Sequence, residues 1–175
     1  GNLTKSTSKL WNDFSTKKEC DILTEKIGGT DEMIAEISNS QRTGYTASKI
    51  FHMQRNEIEL FNNTYQFMLV HNYVNYFLTG GVFAMEEGDA SGTGLWDPVK
   101  KKWSESLTSI ISKDLLSKLP PVSSSTKSIG NISKELVKEY GFNSTCRIDA
   151  GSGDNMYGAI GTGNICLLYT SDAAD

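Results

Sequence analysis

The run Gly151-Ser152-Gly153-Asp154-Asn155 holds the residue types most able to do chemistry. A strand-like stretch, Thr145 to Ile148, leads into two glycines, then a carboxylate beside an amide, then a small-residue helix start. Glycines let a backbone approach a ligand closely. A carboxylate held there can accept a proton from a bound hydroxyl. The competing reading is a helix N-cap, since Asp and Asn are favoured caps with no catalytic duty; spacing alone favours that reading. Trp11-Asn12-Asp13 sets a large ring beside two polar groups, a combination that suits sugars, although a buried Trp followed by a helix cap explains it equally well. Gly161-Thr162-Gly163 invites a phosphate-loop reading but lacks the Gly-x-x-x-x-Gly-Lys-Ser/Thr pattern, so an ordinary turn is the better account. Asp89 to Gly94 also reads as a turn before a ligand site. His52 and His71 stand alone, without a partner at zinc-like spacing, and each reads as a packed or exposed histidine. Cys20, Cys146 and Cys166 are odd in number and widely spaced, which suits free thiols in a reducing cytosol better than a metal site.

The elements that must position these residues have to come from 175 residues, one domain or a piece of a larger one. Hydrophobic residues at 38% leave enough apolar mass for a core, and seven Phe, seven Tyr and three Trp argue against a disordered chain. A net charge of −4 offers no basic stripe to neutralise phosphates, which excludes nucleic acid as the natural partner. No apolar run approaches the ~20 residues of a membrane-spanning helix, so no membrane partner is expected. Gly1 to Asp13 is polar and does not read as a signal peptide.

Helices dominate the expected organisation. Thr16 and Glu19 have capping-box spacing ahead of Ile22, Leu23 and Ile27, and Gly28-Gly29 stops that helix. Asp31 is expected to cap a second helix and Thr46 a third, with Asn56 to Phe61 adding another turn or two. Tyr65 to Val70 reads as a buried strand, and Asn72 to Leu78 as a helix ended by Gly80-Gly81. Val82 to Asp97 reads as strands and turns. Ser104 to Leu119 is helical, in one or two pieces, and Pro120-Pro121 ends it. Val122 to Gly130, with four serines and a threonine, is the best linker candidate. Asn131 or Ser133 then caps a helix through Tyr140, and Met156 to Ile160 begins another. Gly1 in place of Met predicts that the true beginning lies upstream. Residues 166–175 resemble a translated sequencing adapter and are expected to be non-native; an ordinary short strand, Ile165 to Tyr169, is the alternative.

Taken in order, these pieces resemble a sugar kinase of the FGGY carbohydrate kinase family, most closely the xylulokinases. Leu10-Trp11-Asn12-Asp13 resembles the family's Leu-Trp-Asn-Asp. Gly44-Tyr45-Thr46-Ala47-Ser48-Lys49-Ile50 resembles its Gly-Phe-Thr-Ala-Pro-Lys-Leu, continued by Arg55-Asn56-Glu57. Asn72-Tyr73-Val74 through Leu78-Thr79-Gly80 resembles Asp-Tyr-Val…Leu-Thr-Gly, and Asp89-Ala90-Ser91-Gly92-Thr93 is identical to the xylulokinase form. Gly151-Ser-Gly-Asp154-Asn155…Gly158-Ala-Ile-Gly161 resembles Gly-x-Gly-Asp-Asn…Gly-Ala-x-Gly. Two departures stand out: His52 where the signature usually has Trp, and Cys146-Arg147-Ile148-Asp149 where the family has an apolar strand.

The resemblance implies an α/β fold, the two-lobed actin-like (ribonuclease-H-like) ATPase fold of sugar kinases, incomplete here at both ends. Residues 1–144 would be most of the N-terminal lobe and 145–164 the start of the C-terminal lobe. It implies cytoplasmic, ATP- and Mg2+-dependent phosphorylation of a sugar hydroxyl, D-xylulose to D-xylulose 5-phosphate in the leading reading. Asp154 would match the catalytic base and Asn155 a sugar contact beside it; Trp11 and Asp13 match positions near the sugar pocket. The nucleotide-binding residues would lie largely outside this chain, which is itself expected not to turn over ATP. Another FGGY kinase acting on ribulose, glycerol, gluconate or a related substrate is the alternative, as is a non-catalytic sugar-binding paralogue. A homodimer of the full-length protein stays open.

Overall fold

The computed structural model describes residues 2–164. Cys166, the Ile165 to Tyr169 strand and the adapter-like tail lie outside the described residues.

Helices α1 (Lys17–Ile27), α2 (Thr30–Ile37), α3 (Thr46–Asn56) and α4 (Ile58–Asn63) build the first half. Gly28 ends α1 at φ 115°, a left-handed conformation a side chain would resist, and its N–H reaches back to the Glu25 carbonyl. The expected capping box at its start does not form. Thr16 is fully buried, and its hydroxyl pairs with Ser48 Oγ at 2.9 Å. Glu19 instead accepts from Arg55 Nη1 at 2.8 Å. Tertiary partners have outcompeted the local ones. Similarly, Gly29 and Tyr45 occupy the N-cap positions expected for Asp31 and Thr46, which lie one or two residues inside their helices.

Leu23, Met33, Phe51, Phe61, Leu95 and Leu107 form the centre of the main core, each almost wholly withdrawn from water. Helix α7 (Glu105–Ile111) packs against α1 and α3, with a 3-10 turn, Leu115–Lys118, behind it. This confirms the two-piece reading of Ser104 to Leu119. A second, smaller core of Met85, Ala90 and Trp96 lies beside Trp103, whose indole N–H donates to the Pro120 carbonyl at 3.0 Å.

Strands are short among the described residues and pair two by two. Strand β1 (Met85–Glu86) runs into helix α6 (Glu87–Ser91) and then β2 (Trp96–Asp97). β2 pairs antiparallel with β3 (Lys102–Trp103), and β1 pairs parallel with β4 (Val122–Ser123). β5 (Ser128–Asn131) pairs antiparallel with β6 (Arg147–Asp149). The expected linker, Val122 to Gly130, is therefore two strand segments joined by a turn. Its serine content describes solvation, whereas its backbone is held by partners far away in sequence. Tyr65 to Val70 is not a strand. Phe67 N–H donates to the Lys118 carbonyl, but no ladder forms, and Val70 begins helix α5 (Val70–Thr79) with most of its side chain exposed. An apolar run becomes a strand only where a neighbouring edge accepts its hydrogen bonds.

Gly80 closes α5 in the left-handed conformation, as expected. Helix α8 (Lys134–Tyr140) is capped by Ser133, whose hydroxyl accepts from Leu136 N–H at 3.3 Å. Ser133→Ala removes an N-cap worth about 1 kcal/mol, so amide exchange within α8 is expected to quicken roughly fivefold. Unchanged exchange would mean that the cap bond contributes nothing. β6 returns to β5, and its two charged side chains pair on one face, Arg147 Nη2 to Asp149 Oδ2 at 3.0 Å. Helix α9 (Asp154–Gly161) follows.

Candidate functional site

Asp154 is the first residue of α9, and Gly153 holds the N-cap position with no side-chain cap bond. The capping reading of Asp154 is thus not realised. Its Oδ1 accepts from the Asn155 N–H at 2.8 Å, while Oδ2 has no hydrogen-bond partner among the described residues. Both side chains are exposed, and α9 buries none of its residues. A carboxylate presented in this way is open to a ligand hydroxyl.

The residues just before it are held firmly. Ala150 is buried; its N–H donates to the Lys127 carbonyl at 3.0 Å, and its carbonyl accepts from Asn75 Nδ2 at 3.0 Å. Gly151 N–H donates to the Ser125 carbonyl at 3.2 Å. Gly151 has φ +79°, and a methyl there would lie 2.5 Å from His71 Nε2 and 2.8 Å from Cε1. Here the glycine is required twice, by backbone conformation and by contact. Gly153 differs: its φ is −63°, and a methyl would meet Asp89 Oδ1 at an ordinary 3.9 Å.

His71 and Asp89 are the residues that the sequence left unjoined. His71 Nδ1 lies 2.6 Å from Asp89 Oδ2, and its Nε2 lies 3.2 Å from Asn75 Nδ2. With Asn75 donating, the hydrogen-bond network places the imidazole proton on Nδ1. The bond to Asp89 favours the charged ring and raises the His71 pKa above its ordinary value, against the opposing effect of burial. Asp89 is fixed in turn by α6. The buried Glu86 carboxylate caps that helix, accepting from Gly88 N–H at 2.5 Å and Asp89 N–H at 3.1 Å. Ala90, the next residue, is wholly buried in the smaller core. His71 lies 18 residues before Asp89, and Asn75 lies 75 before Ala150, so no local spacing signal could have revealed either pairing.

Trp11 and Asp13 sit elsewhere in the hydrogen-bond network. Trp11 is 77% exposed, so the buried-ring alternative fails and its face is open. Lys49 Nζ donates to the Leu10 carbonyl at 2.6 Å and the Gly44 carbonyl at 3.1 Å, tying this segment to the start of α3. Asp13 Oδ1 accepts from Ser15 N–H at 2.8 Å; Ser15 and Lys9 hold the Asp13 carboxyl down at about 2. Among the described residues, no hydrogen bond or ion pair joins Trp11 or Asp13 to Asp154 or Asn155. Nor does any group of three or more His, Cys, Asp or Glu side chains there fit a resident metal ion. No helix among the described residues is long and apolar enough to cross a membrane. Cys20 and Cys146 are free thiols, buried and exposed respectively.

Comparison with known proteins gives relatives across most of the chain. A xylulose kinase of Haemophilus influenzae is 42% identical over 160 residues, covering 90% of this chain and 32% of its own length. The crystal structure of a "xyloylose kinase" from Brucella ovis superposes with a TM-score of 0.78 at 25% identity, over 87% of this chain and 30% of that one. A gluconate kinase structure from Lactobacillus acidophilus gives the same TM-score at 22% identity, over 88% and 31% of the two chains, and shows the fold alone. That fold is the actin-like ATPase fold of the sugar kinases. The chain spans about a third of the length of the curated relatives it matches. Residues 5–161 match the family model for the FGGY carbohydrate kinase N-terminal domain, a span that runs past Thr145 to the end of α9, and the chain belongs to the FGGY family of carbohydrate kinases.

Proposed function

We propose that the protein phosphorylates a sugar hydroxyl with MgATP, D-xylulose first, giving D-xylulose 5-phosphate and ADP. The observation that carries this reading is the exposed Asp154 carboxylate at the start of α9, with one oxygen unengaged among the described residues and the preceding turn pinned in place. It is supported by 42% identity to a xylulose kinase across 90% of the chain.

Asp154 accepts the proton of the sugar hydroxyl as that oxygen attacks the γ-phosphorus of ATP. The bond from the γ-phosphorus to the β–γ bridging oxygen breaks, and ADP leaves. Asn155, beside it, contacts the sugar and helps to hold the hydroxyl in line. Trp11 offers an open ring face for a sugar and Asp13 an ionised acceptor; both are proposed as outer sugar contacts. MgATP enters as a substrate, with its magnesium neutralising phosphate charge. Positioning and charge neutralisation supply most of the rate in phosphoryl transfer, so the base acts only within an assembled cleft.

The gluconate kinase neighbour shows that one fold serves more than one substrate. The test is ADP release by the full-length protein with D-xylulose, L-xylulose, ribulose, glycerol and gluconate. The expected result is a clear kcat/KM preference for D-xylulose. Preference for another sugar would keep the kinase and replace its substrate. Sugar binding without ADP release on any of them would favour a non-catalytic sugar-binding protein.

A further inference from the structure

Helix α9 buries none of its residues, and among the described residues the Asp154 carboxylate bonds only to the neighbouring Asn155 amide. Within α9 that local bond leaves the placement of the helix start, and so of the carboxylate, to the turn before it. The constraint comes from Ala150 to Gly153. On one side the backbone bonds to Lys127 and Ser125 hold this turn. On the other side stand the side chains of Asn75 and His71.

We infer that His71 is a positioning residue for Asp154: locked by Asp89 and bridged by Asn75, its ring is the surface against which the Gly151 turn is set. The inference rests on the reading of Asp154 as the base. Its geometry is specific. The absent methyl of Gly151 would lie 2.5 Å from Nε2 and 2.8 Å from Cε1, so the turn is set against the imidazole edge. Asn75 Nδ2 reaches both His71 Nε2 and the Ala150 carbonyl, joining ring and turn through one amide. Asp89 orients the ring through Nδ1 and is itself anchored by the Glu86 cap and the burial of Ala90.

The test is a mutant cycle in the full-length protein, reading kcat, the KM for sugar and the fold of each variant by sugar binding. His71→Ala is expected to lower kcat about ten- to a hundredfold, the scale of a small misplacement of a catalytic group, with sugar KM little changed. His71→Gln, whose amide oxygen can accept from Asn75, recovers most of that loss. Combined with Asp154→Asn, His71→Ala adds nothing further, because it acts through the carboxylate already removed. Where His71→Ala does not bind sugar, Asn75→Ser, which removes the amide joining ring and turn, carries the same cycle. Unchanged kcat in a sugar-binding His71→Ala, or in Asn75→Ser where His71→Ala does not bind sugar, or losses that multiply with that of Asp154→Asn, overturns the positioning role alone. Normal turnover by Asp154→Asn overturns the base reading, and this inference with it.

Discussion

Asp154→Asn in the full-length protein is expected to reduce kcat by ~10²–10⁴-fold, the usual contribution of a general base. That is about 3–5 kcal/mol of transition-state stabilisation. The amide keeps the size and shape of the carboxylate but cannot take the proton of the sugar hydroxyl. Sugar binding should change little, because the base is used in the transition state rather than in the ground state. The structure makes the substitution clean. Among the described residues, Asp154 Oδ1 accepts only the Asn155 N–H, and no structural ion pair or cap depends on the carboxylate. A change in kcat can therefore be read as chemistry rather than as damage to the turn. Steady-state kinetics with D-xylulose and MgATP, alongside sugar binding by calorimetry, makes the measurement. Near-normal turnover would remove Asp154 from the base role, and equal losses of binding and turnover would make it a sugar contact instead.

Gly151→Ala should be nearly as damaging, by a different route. At φ +79° an L-residue costs roughly 1–2 kcal/mol. Its methyl would also press into the His71 ring at 2.5 Å, closer than carbon and nitrogen can approach without bonding. Either the ring swings away from Asp89 or the turn lifts and carries Asp154 with it. Because misplacement by about 1 Å can cost on the order of 100-fold, kcat is expected to fall at least that far. Thermal unfolding separates strain from contact. In the Gly151→Ala/His71→Ala double variant the clash is gone but the backbone strain stays, so its Tm should lie above that of Gly151→Ala alone. A Gly151→Ala protein with ordinary turnover and Tm would show that the turn does not rest on His71.

Some of this was legible along the chain. Gly28, Gly80 and Gly141 end their helices in the left-handed conformation, and the Ser133 hydroxyl caps α8; each signal is complete within about four residues. The motif order from Trp11 to Asp154 carried the family, since that order survives without any contact being known. The same local logic failed where a distant group made the better partner. Thr16 could have capped α1, yet its hydroxyl lies buried against Ser48; Glu19 could have completed the box, yet it pairs with Arg55. The serine-rich stretch from Val122 looked like a linker because composition does not encode ladder partners, and those partners were Met85-Glu86 and Arg147–Asp149.

The sequence by itself therefore determined the helix ends that glycine or Ser133 closes, and the family, and it singled out the carboxylate proposed as the base. Tertiary structure alone decided that Asp154 is not a cap, that Trp11 is exposed, and that His71, Asp89 and Asn75 gather under the Gly151 turn. The reason is physical. A cap or a positive φ is settled by groups a few bonds apart, whereas a hydrogen bond between Asn75 and Ala150 exists only once the core has brought together positions 75 apart in sequence.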